Sequence, residues 1–320
     1  MSGNRTGISA IKNKDKRRQV LAKERLERSA ARKRARSADG DGAARPKQQP
    51  RTLESMRVAD STVVAPGDEE VARDEGEDEF SAIFSGALDP KVLLTTQVNP
   101  SAAAYPLLGA LLGLVPRAFY YRRHRFTLRD IGAWSSAKGF THLLVLMETS
   151  KGRFSLVVSR LAPQGAEGEG EGEGEGSSSS SSTGLPGPTG CFRFSSPVLP
   201  QGIANHGTST EHTPEILLNN FTTRLGRRFG RLLGSLFPHR PDFGGRQVVT
   251  MHNQRDYIFF RRHRYVFREG GQGADLQELG PRFTLKPRWL LAGDFNPGQG
   301  EYEYIHRKSE QDLTKKVFHL

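Results

Sequence analysis

Residues Arg246–Arg268 read RQVVTMHNQRDYIFFRRHRYVFR. Val248 and Val249 open an apolar, β-branched run, Asn253, Gln254, Arg255 and Asp256 form a polar turn, and Tyr257–Phe260 resume with Ile258 and aromatic rings. Such runs on either side of a short polar turn predict two tightly joined strands. Lysine is absent from the stretch and arginine is dense among the rings, a combination suited to gripping phosphate and stacking on bases. On an extended strand Tyr257, Phe259, Arg261, His263, Tyr265 and Phe267 share one face, and Ile258, Phe260, Arg262, Arg264 and Val266 share the other. The aromatics are therefore expected to be largely structural, with arginine stems along the edge, and the arginines to bind.

Upstream, Thr213–Phe237 reads as a helix. Thr213 stands as its cap, Pro214 as its first residue, Glu215 at the positive end and Pro238 beyond its stop. Leu218, Phe221, Leu225, Phe229, Leu232 and Leu236 fall on one side as a core stripe, with Arg224, Arg227, Arg228 and Arg231 in the next sector. Gly226, Gly230 and Gly234 recur at i, i+4 and i+8. Each internal glycine costs roughly 1 kcal/mol of helix stability, so the stripe predicts close approach of another backbone, from protein or RNA.

The folded sequence is expected to begin near Asp89-Pro90 and to run β-α-β-α-β-β. The strands are Lys91–Thr96, Arg117–Arg123, Thr141–Glu148 and Phe154–Leu161; the helices start at Ser101 and Thr127, the second ending before Gly139. Pro106 is tolerated in the first helix only in its first turn or at a kink. Residues 163–190, a Glu-Gly alternation with a serine run, cannot bury a core and read as a disordered loop inserted between strands. Cys191–Ser196, Leu276–Leu279 and Phe283–Leu285 read as further strands, with Trp289–Leu291 extending the last. The domain spans 89–291.

Around it the charge is segregated. Residues 1–57 form a basic tail, with clusters at Lys12–Arg18 and Arg32–Arg36 that resemble nuclear localisation signals and a solvated or transient helix over Val20–Arg36. Residues 58–88 form an acidic linker, which reads equally as a partner-docking segment or as a strap folding back on the basic tail. Residues 292–320 read as a polar C-terminal tail.

The net charge of +12 over 320 residues points to an anionic partner, nucleic acid first. The single cysteine, Cys191, excludes an intrachain disulfide or a multi-cysteine zinc site, and His206 with His212 lacks a third metal ligand. The longest apolar run, Ala102–Val115, is too short for a membrane span, and no secretory signal is evident. No Ser/His/Asp order, carboxylate pair or Walker loop appears. Asp256 is expected to cap its turn or pair with Arg255 rather than to act with His252 in acid–base chemistry.

The runs GRQVVTMHNQRDYIFFRRHRYVF, PEILLNNFTTRLGRRFGRLLGSLFP, LQELGPRFTLK and KVLLTTQVNPSAAAY resemble the Brix-domain family over about residues 89–291. The Glu-Gly/Ser insertion departs from that family. The resemblance implies an α/β fold of two anticodon-binding-like halves flanked by disordered charged tails. It also implies a nucleolar, non-enzymatic factor without cofactor or metal that binds pre-ribosomal RNA in the large-subunit pre-ribosomal particle, paired with a dedicated partner protein. It carries an RNA-binding motif onto Arg246, His252, Asn253, Gln254, Arg255, Asp256, Arg261, Arg262, His263 and Arg264. The helix arginines Arg224, Arg227, Arg228 and Arg231 join this set as phosphate contacts. A scaffold whose arginine surface meets an acidic partner protein is the alternative, and a nuclease centred on Asp256 a third.

Overall fold

The computed structural model describes residues 13–38, 50–58, 60–65, 67–150, 152–162, 187–268, 272–293, 300–307 and 316–320. Residues 1–52 form one unit and residues 53–320 another. In the first, the described part is mainly helix α1 (Lys14–Ala38), opened by the Asn13 carboxamide, which accepts from the backbone of Asp15 and Lys16. Leu21 and Leu26 are exposed on it, as the scarcity of apolar residues predicts.

In the second unit the acidic segment carries two short helices, α2 (Glu69–Glu77) and α3 (Ser81–Phe84). Val71, Phe80 and Ile83 are buried, so the core begins well before Asp89. There follow β1 (Val92–Thr96), α4 (Ala104–Leu112), β2 (Ala118–Tyr120), α5 (Leu128–Ala137), β3 (His142–Ser150), β4 (Arg153–Arg160), β5 (Thr189–Val198), β6 (Glu215–Asn219), α6 (Arg224–Gly234), β7 (Gln247–Gln254), β8 (Tyr257–Phe267), β9 (Ala274–Glu278), β10 (Arg282–Leu291) and β11 (Tyr302–Ile305). The strands form one sheet in the order β2-β1-β3-β4-β5-β10-β8-β7-β6, with β9 on β8 and β11 on β10.

The sheet has two halves of like topology. In each, two strands pair in parallel (β1 with β3, β6 with β7), and the chain then turns back into an antiparallel strand (β4, β8). Antiparallel pairing of β5 with β10 joins them. One face buries the larger core, where Leu107, Leu111, Phe229 and Leu232 from α4 and α6 meet Leu144, Leu156, Phe192, Ile258 and Phe260. On the other face α5 covers only the first half, around Leu93, Leu143, Val145 and Val157.

Several local expectations hold. Thr127 caps α5 in a reciprocal box with Asp130, and Gly139 takes the left-handed φ of +71° after it. Pro106 lies in the first turn of α4, as its missing N–H requires.

Others are corrected. Ser101 does not cap α4, whose N-cap is Ala103 with no side-chain bond, and the strand expected over Arg117–Arg123 shortens to Ala118–Tyr120. The helix expected over Thr213–Phe237 is two elements. Glu215–Asn219 pairs in parallel with β7, Asn220 breaks the chain at φ 64°, and Thr223 caps α6 by accepting from the Gly226 N–H at 2.9 Å. Over so short an apolar run the strand and helix periods coincide, and β7, thirty residues away, decides between them. Thr189 and Gly190 belong to β5, while the rest of the expected insertion lies largely outside the described residues. The expected C-terminal tail contributes β11 and ends on a fully buried Leu320.

Candidate nucleic-acid interface

The arginines of α6 recur every three to four residues, so they form a ladder along one side of the helix. In the folded chain that ladder is occupied. Helix α2 starts at Asp68, whose carboxylate accepts from the Glu70 and Val71 amides, and the acids that follow meet the ladder one by one. Arg224 pairs with Glu70 at 3.0 Å, Arg227 with Glu75 at 3.2 Å, and Arg228 with Glu79 at 2.8 Å. Arg228 also donates both Nε and Nη2 to Glu303 of β11, each at 2.9 Å. Burial works to lower the Arg228 pKa, but the hydrogen bond with Glu303 and the charges of Glu79 and Glu303 outweigh it and raise it.

Arg231 is the anchor of the set. Its Nε and Nη2 each reach the Asp78 carboxylate at 2.6 Å, Nη2 donates to the Glu75 carbonyl at 2.7 Å, and the guanidinium lies over the Phe84 ring at 4.3 Å. Its side chain is 12% exposed and that of Asp78 14%. A bidentate pair this enclosed fastens one element to another.

The glycine stripe has the same cause. A Cβ on Gly226 would stand 2.8 Å from the Leu320 carbonyl carbon, one on Gly230 3.3 Å from the Phe221 ring, and one on Gly234 3.2 Å from both Leu218 and Phe84. Close approach of a backbone, as expected from the sequence, holds at Gly226 alone; Gly230 and Gly234 make room for side chains, and all of these neighbours belong to this chain.

The hairpin β7–β8 forms as expected, with Gln254 opposite Tyr257 and both turn residues, Arg255 and Asp256, at positive φ. Asp256 neither caps the turn nor pairs with Arg255. Its Oδ1 accepts from the His319 and Leu320 amides at 2.8 and 2.9 Å, and burial raises its pKa despite those bonds. Arg255 pairs with Glu54 at 3.4 Å.

Alternation along β8 then separates the remaining residues. Arg262 points into the fold, 5% exposed, donating to Gln247 Oε1 at 2.7 Å and to the Gly113 carbonyl at 3.1 Å. Asn253 is buried too, and exchanges amide-to-carbonyl hydrogen bonds with Asn220 that tie β6 to β7. Arg264 shares the inward side of the strand, opposite Gln247, and is half-buried; Gln254 is half-buried at the turn. Arg246 is exposed at φ 47°, just ahead of β7.

The other side of β8 is the sheet face that α5 does not reach. Register places Thr250 opposite Arg261, His252 opposite Phe259, and Val248 opposite His263 on β7; Thr284 of β10 stands opposite Phe259, and Ser195 of β5 opposite Thr284. Phe259, Arg261, His263 and Arg193 are half-buried, and Leu217 of β6 is exposed. Lys286 lies over the Tyr257 ring at 5.0 Å. Acids at the margin are engaged: Glu215 accepts from the Tyr265 hydroxyl and Glu278 from Arg282. Burial lowers the pKa of His263, against the pull of Glu278. Of the residues singled out in the sequence, this face gathers His252, Arg261 and His263 and leaves out Asn253, Arg262 and the α6 ladder. Arg193 was missed, although its place between Phe192 and Phe194 in CFRFSS turns it to the opposite side of the strand from two core rings.

The chain matches the family model described as the Brix domain over residues 99–289. It is 43% identical to ribosome production factor 1 of Pongo abelii over 321 residues, covering 98% of this chain and 85% of that protein. With ribosome production factor 1 of Saccharomyces cerevisiae the identity is 39% over 272 residues, covering 84% of this chain and 80% of the other. The crystal structure of a probable ribosomal biogenesis protein from Aeropyrum pernix K1 overlaps 68% of this chain and 99% of its own at 13% identity and a TM-score of 0.42. No described helix is long and apolar enough to cross a membrane. With the model spanning more than half of its length and relatives of this identity matched along most of theirs, the chain belongs to the Brix-domain family.

Proposed function

We propose that the chain is a non-enzymatic, nucleolar assembly factor that binds pre-ribosomal RNA of the large subunit through the uncovered sheet face of its second half. The Brix domain and relatives named for ribosome production make the chain a ribosome biogenesis factor. The observation that supports RNA as the ligand is the face itself, where Arg193, Arg261 and His263 stand beside half-buried Phe259 on a broad surface over which none of the described helices of this unit packs. Guanidinium groups supply phosphate contacts, the broad face suits shape recognition of structured RNA, and the uncovered edge of half-buried Phe259 can meet an unpaired base.

The reading as a scaffold for an acidic protein loses its strongest surface, because the α6 ladder already holds the chain's own acidic helix. The nuclease reading loses Asp256 to a backbone-holding role.

The test is binding of the full chain to a structured ribosomal RNA fragment across a salt series, wild type against Arg193→Glu/Arg261→Glu. Each lost phosphate contact should flatten the slope of log affinity on log salt by about 0.7–0.9. An unchanged slope and affinity in the double variant would refute this face as the interface.

A further inference from the structure

A second cationic and aromatic surface lies in the other half, where the edge strand β2 ends. Residues Tyr121–Phe126, YRRHRF, leave β2 as a built turn. The Tyr121 amide donates to the Leu94 carbonyl at 3.1 Å, and Thr95 Oγ1 donates to the Tyr121 carbonyl at 2.8 Å. Arg123 Nε then closes on the Phe126 carbonyl at 3.1 Å, and His124 takes a left-handed φ of 51°.

Between this turn and α5 lies a cavity of about 310 Å³, walled by Tyr121, Phe126, Trp134 and Phe140 and by the cationic Arg122 and Lys138. That size is at the lower end of small-ligand pockets, roughly 300–1,000 Å³. A second cavity, of about 600 Å³, shares Arg122, Arg123, His124 and Phe126 with the first and continues past Arg125 to Gln97–Pro100. Phe126 and Trp134 meet edge to face with centroids 5.0 Å apart, so their free ring surfaces line the hollow.

Two observations say what kind of molecule fits. Tyr121 is 58% exposed and Phe126 and Trp134 are each 49% exposed, an unusual concentration of open aromatic surface. The charge around it has one sign. Asp130 is the only acid between Ala118 and Lys138, and its carboxylate is held by Thr127 Oγ1 at 2.6 Å in the helix cap. Arg122 and Arg125 form no ion pair among the described residues. The α6 ladder shows the contrast, since there every arginine has a carboxylate.

We propose that this double cavity binds unpaired nucleotides of single-stranded RNA, with a base against Phe126 and Trp134 and the neighbouring phosphates at Arg122 and Arg125. An apolar peptide would gain from the rings but nothing from an uncompensated cationic rim, whereas RNA satisfies both. Every base offers a π-face, so the site selects for unpaired strand over duplex and little for sequence. It lies in the opposite half from the sheet face and shares with that reading only the class of ligand.

The sequence holds two tryptophans, and in the Trp289→Phe full-length chain Trp134 is the sole reporter. Unlabelled oligouridylate should quench its emission in a salt-dependent way, and an RNA duplex of equal length should not. Arg122→Glu/Arg125→Glu, both exposed and remote from the core, should weaken the quenching by about tenfold or more, with circular dichroism confirming the fold. Anisotropy of a fluorescein-labelled structured RNA reads total binding in parallel. Quenching that survives Arg193→Glu/Arg261→Glu while structured-RNA affinity drops establishes an independent site. Structured-RNA binding with Trp134 emission indifferent to oligouridylate overturns the proposal and leaves the sheet-face reading standing. Quenching that vanishes with Arg193→Glu/Arg261→Glu overturns the independent site, and absence of both signals overturns both readings.

Discussion

The two halves of the sheet share a strand order but not a cover. The first is sandwiched, with α4 on one face and α5 on the other, and its strands β3 and β4 are buried on both sides over most of their length. The second has α6 on one face only, and β8 alternates between half-buried and buried residues from Tyr257 to Arg262. Arginine follows the same division. Those on α6 are paired with acidic residues of α2, of the segment just after it and of β11, whereas Arg193 and Arg261 on the uncovered face form no ion pair among the described residues. Arginine content alone therefore does not mark an RNA surface. An arginine whose carboxylate partners lie in the same chain serves packing, and one left without them is available to a ligand.

Arg231 gives the sharpest test. Arg231→Ala strands Asp78 in an enclosed site and should lower the unfolding free energy by about 2–3 kcal/mol in urea denaturation, with RNA affinity unchanged once the protein is folded. A folded Arg231→Ala chain with normal stability and reduced RNA affinity would break the comparison. On the uncovered face Arg261→Glu should do the reverse, reducing affinity for structured RNA by about tenfold at low salt while shifting the urea midpoint little, because surface substitutions usually stay within about 0.5 kcal/mol.

The junction between the halves is open to pH. His142 at the start of β3 is fully buried and faces Ser235, just past α6, across 3.0 Å. Burial first, and the Arg160 charge second, hold its pKa well below the ordinary value. The folded chain keeps the ring neutral while the unfolded chain takes up a proton below about pH 6.5. Stability should therefore be independent of this group above pH 7 and fall as pH drops below about 6.5, by at most about 1.4 kcal/mol per pH unit. Calorimetry of wild type and His142→Gln reads the difference; His239 and His263, shifted in the same direction, remain in both proteins. The smallest effect belongs to Gly230→Ala, where a gain in helix propensity of roughly 1 kcal/mol meets a Phe221 ring that has to yield slightly. Its net change in unfolding free energy should stay within about 0.5 kcal/mol, whereas Gly226→Ala, against the Leu320 backbone, should be clearly destabilising.

What could be read from the sequence was what neighbours in the chain decide. The β7–β8 hairpin, the Thr127 cap and the first-turn Pro106 rest on signals a few residues long. Glu215–Asn219 was read as helix because its strand partner, β7, lies outside any local window. The intrachain partners of the α6 arginines and of Arg262 were out of view for the same reason. Arg231 and Asp78 are 153 residues apart, and Arg262 finds the Gly113 carbonyl across 149. A run of arginines shows that cations are present; the tertiary fold decides which of them are already matched.

The β5–β10 seam has a consequence for the order in which the molecule is built. Strand β10 is almost the last strand in the sequence, yet it sits in the middle of the sheet, between β5 and β8. Until Arg282–Leu291 has been synthesised, each half presents a bare edge, β5 on one and β8 on the other, and unpaired edges are templates for association with other chains. The nascent protein thus passes through a stage with two open margins, and one late strand closes both at once.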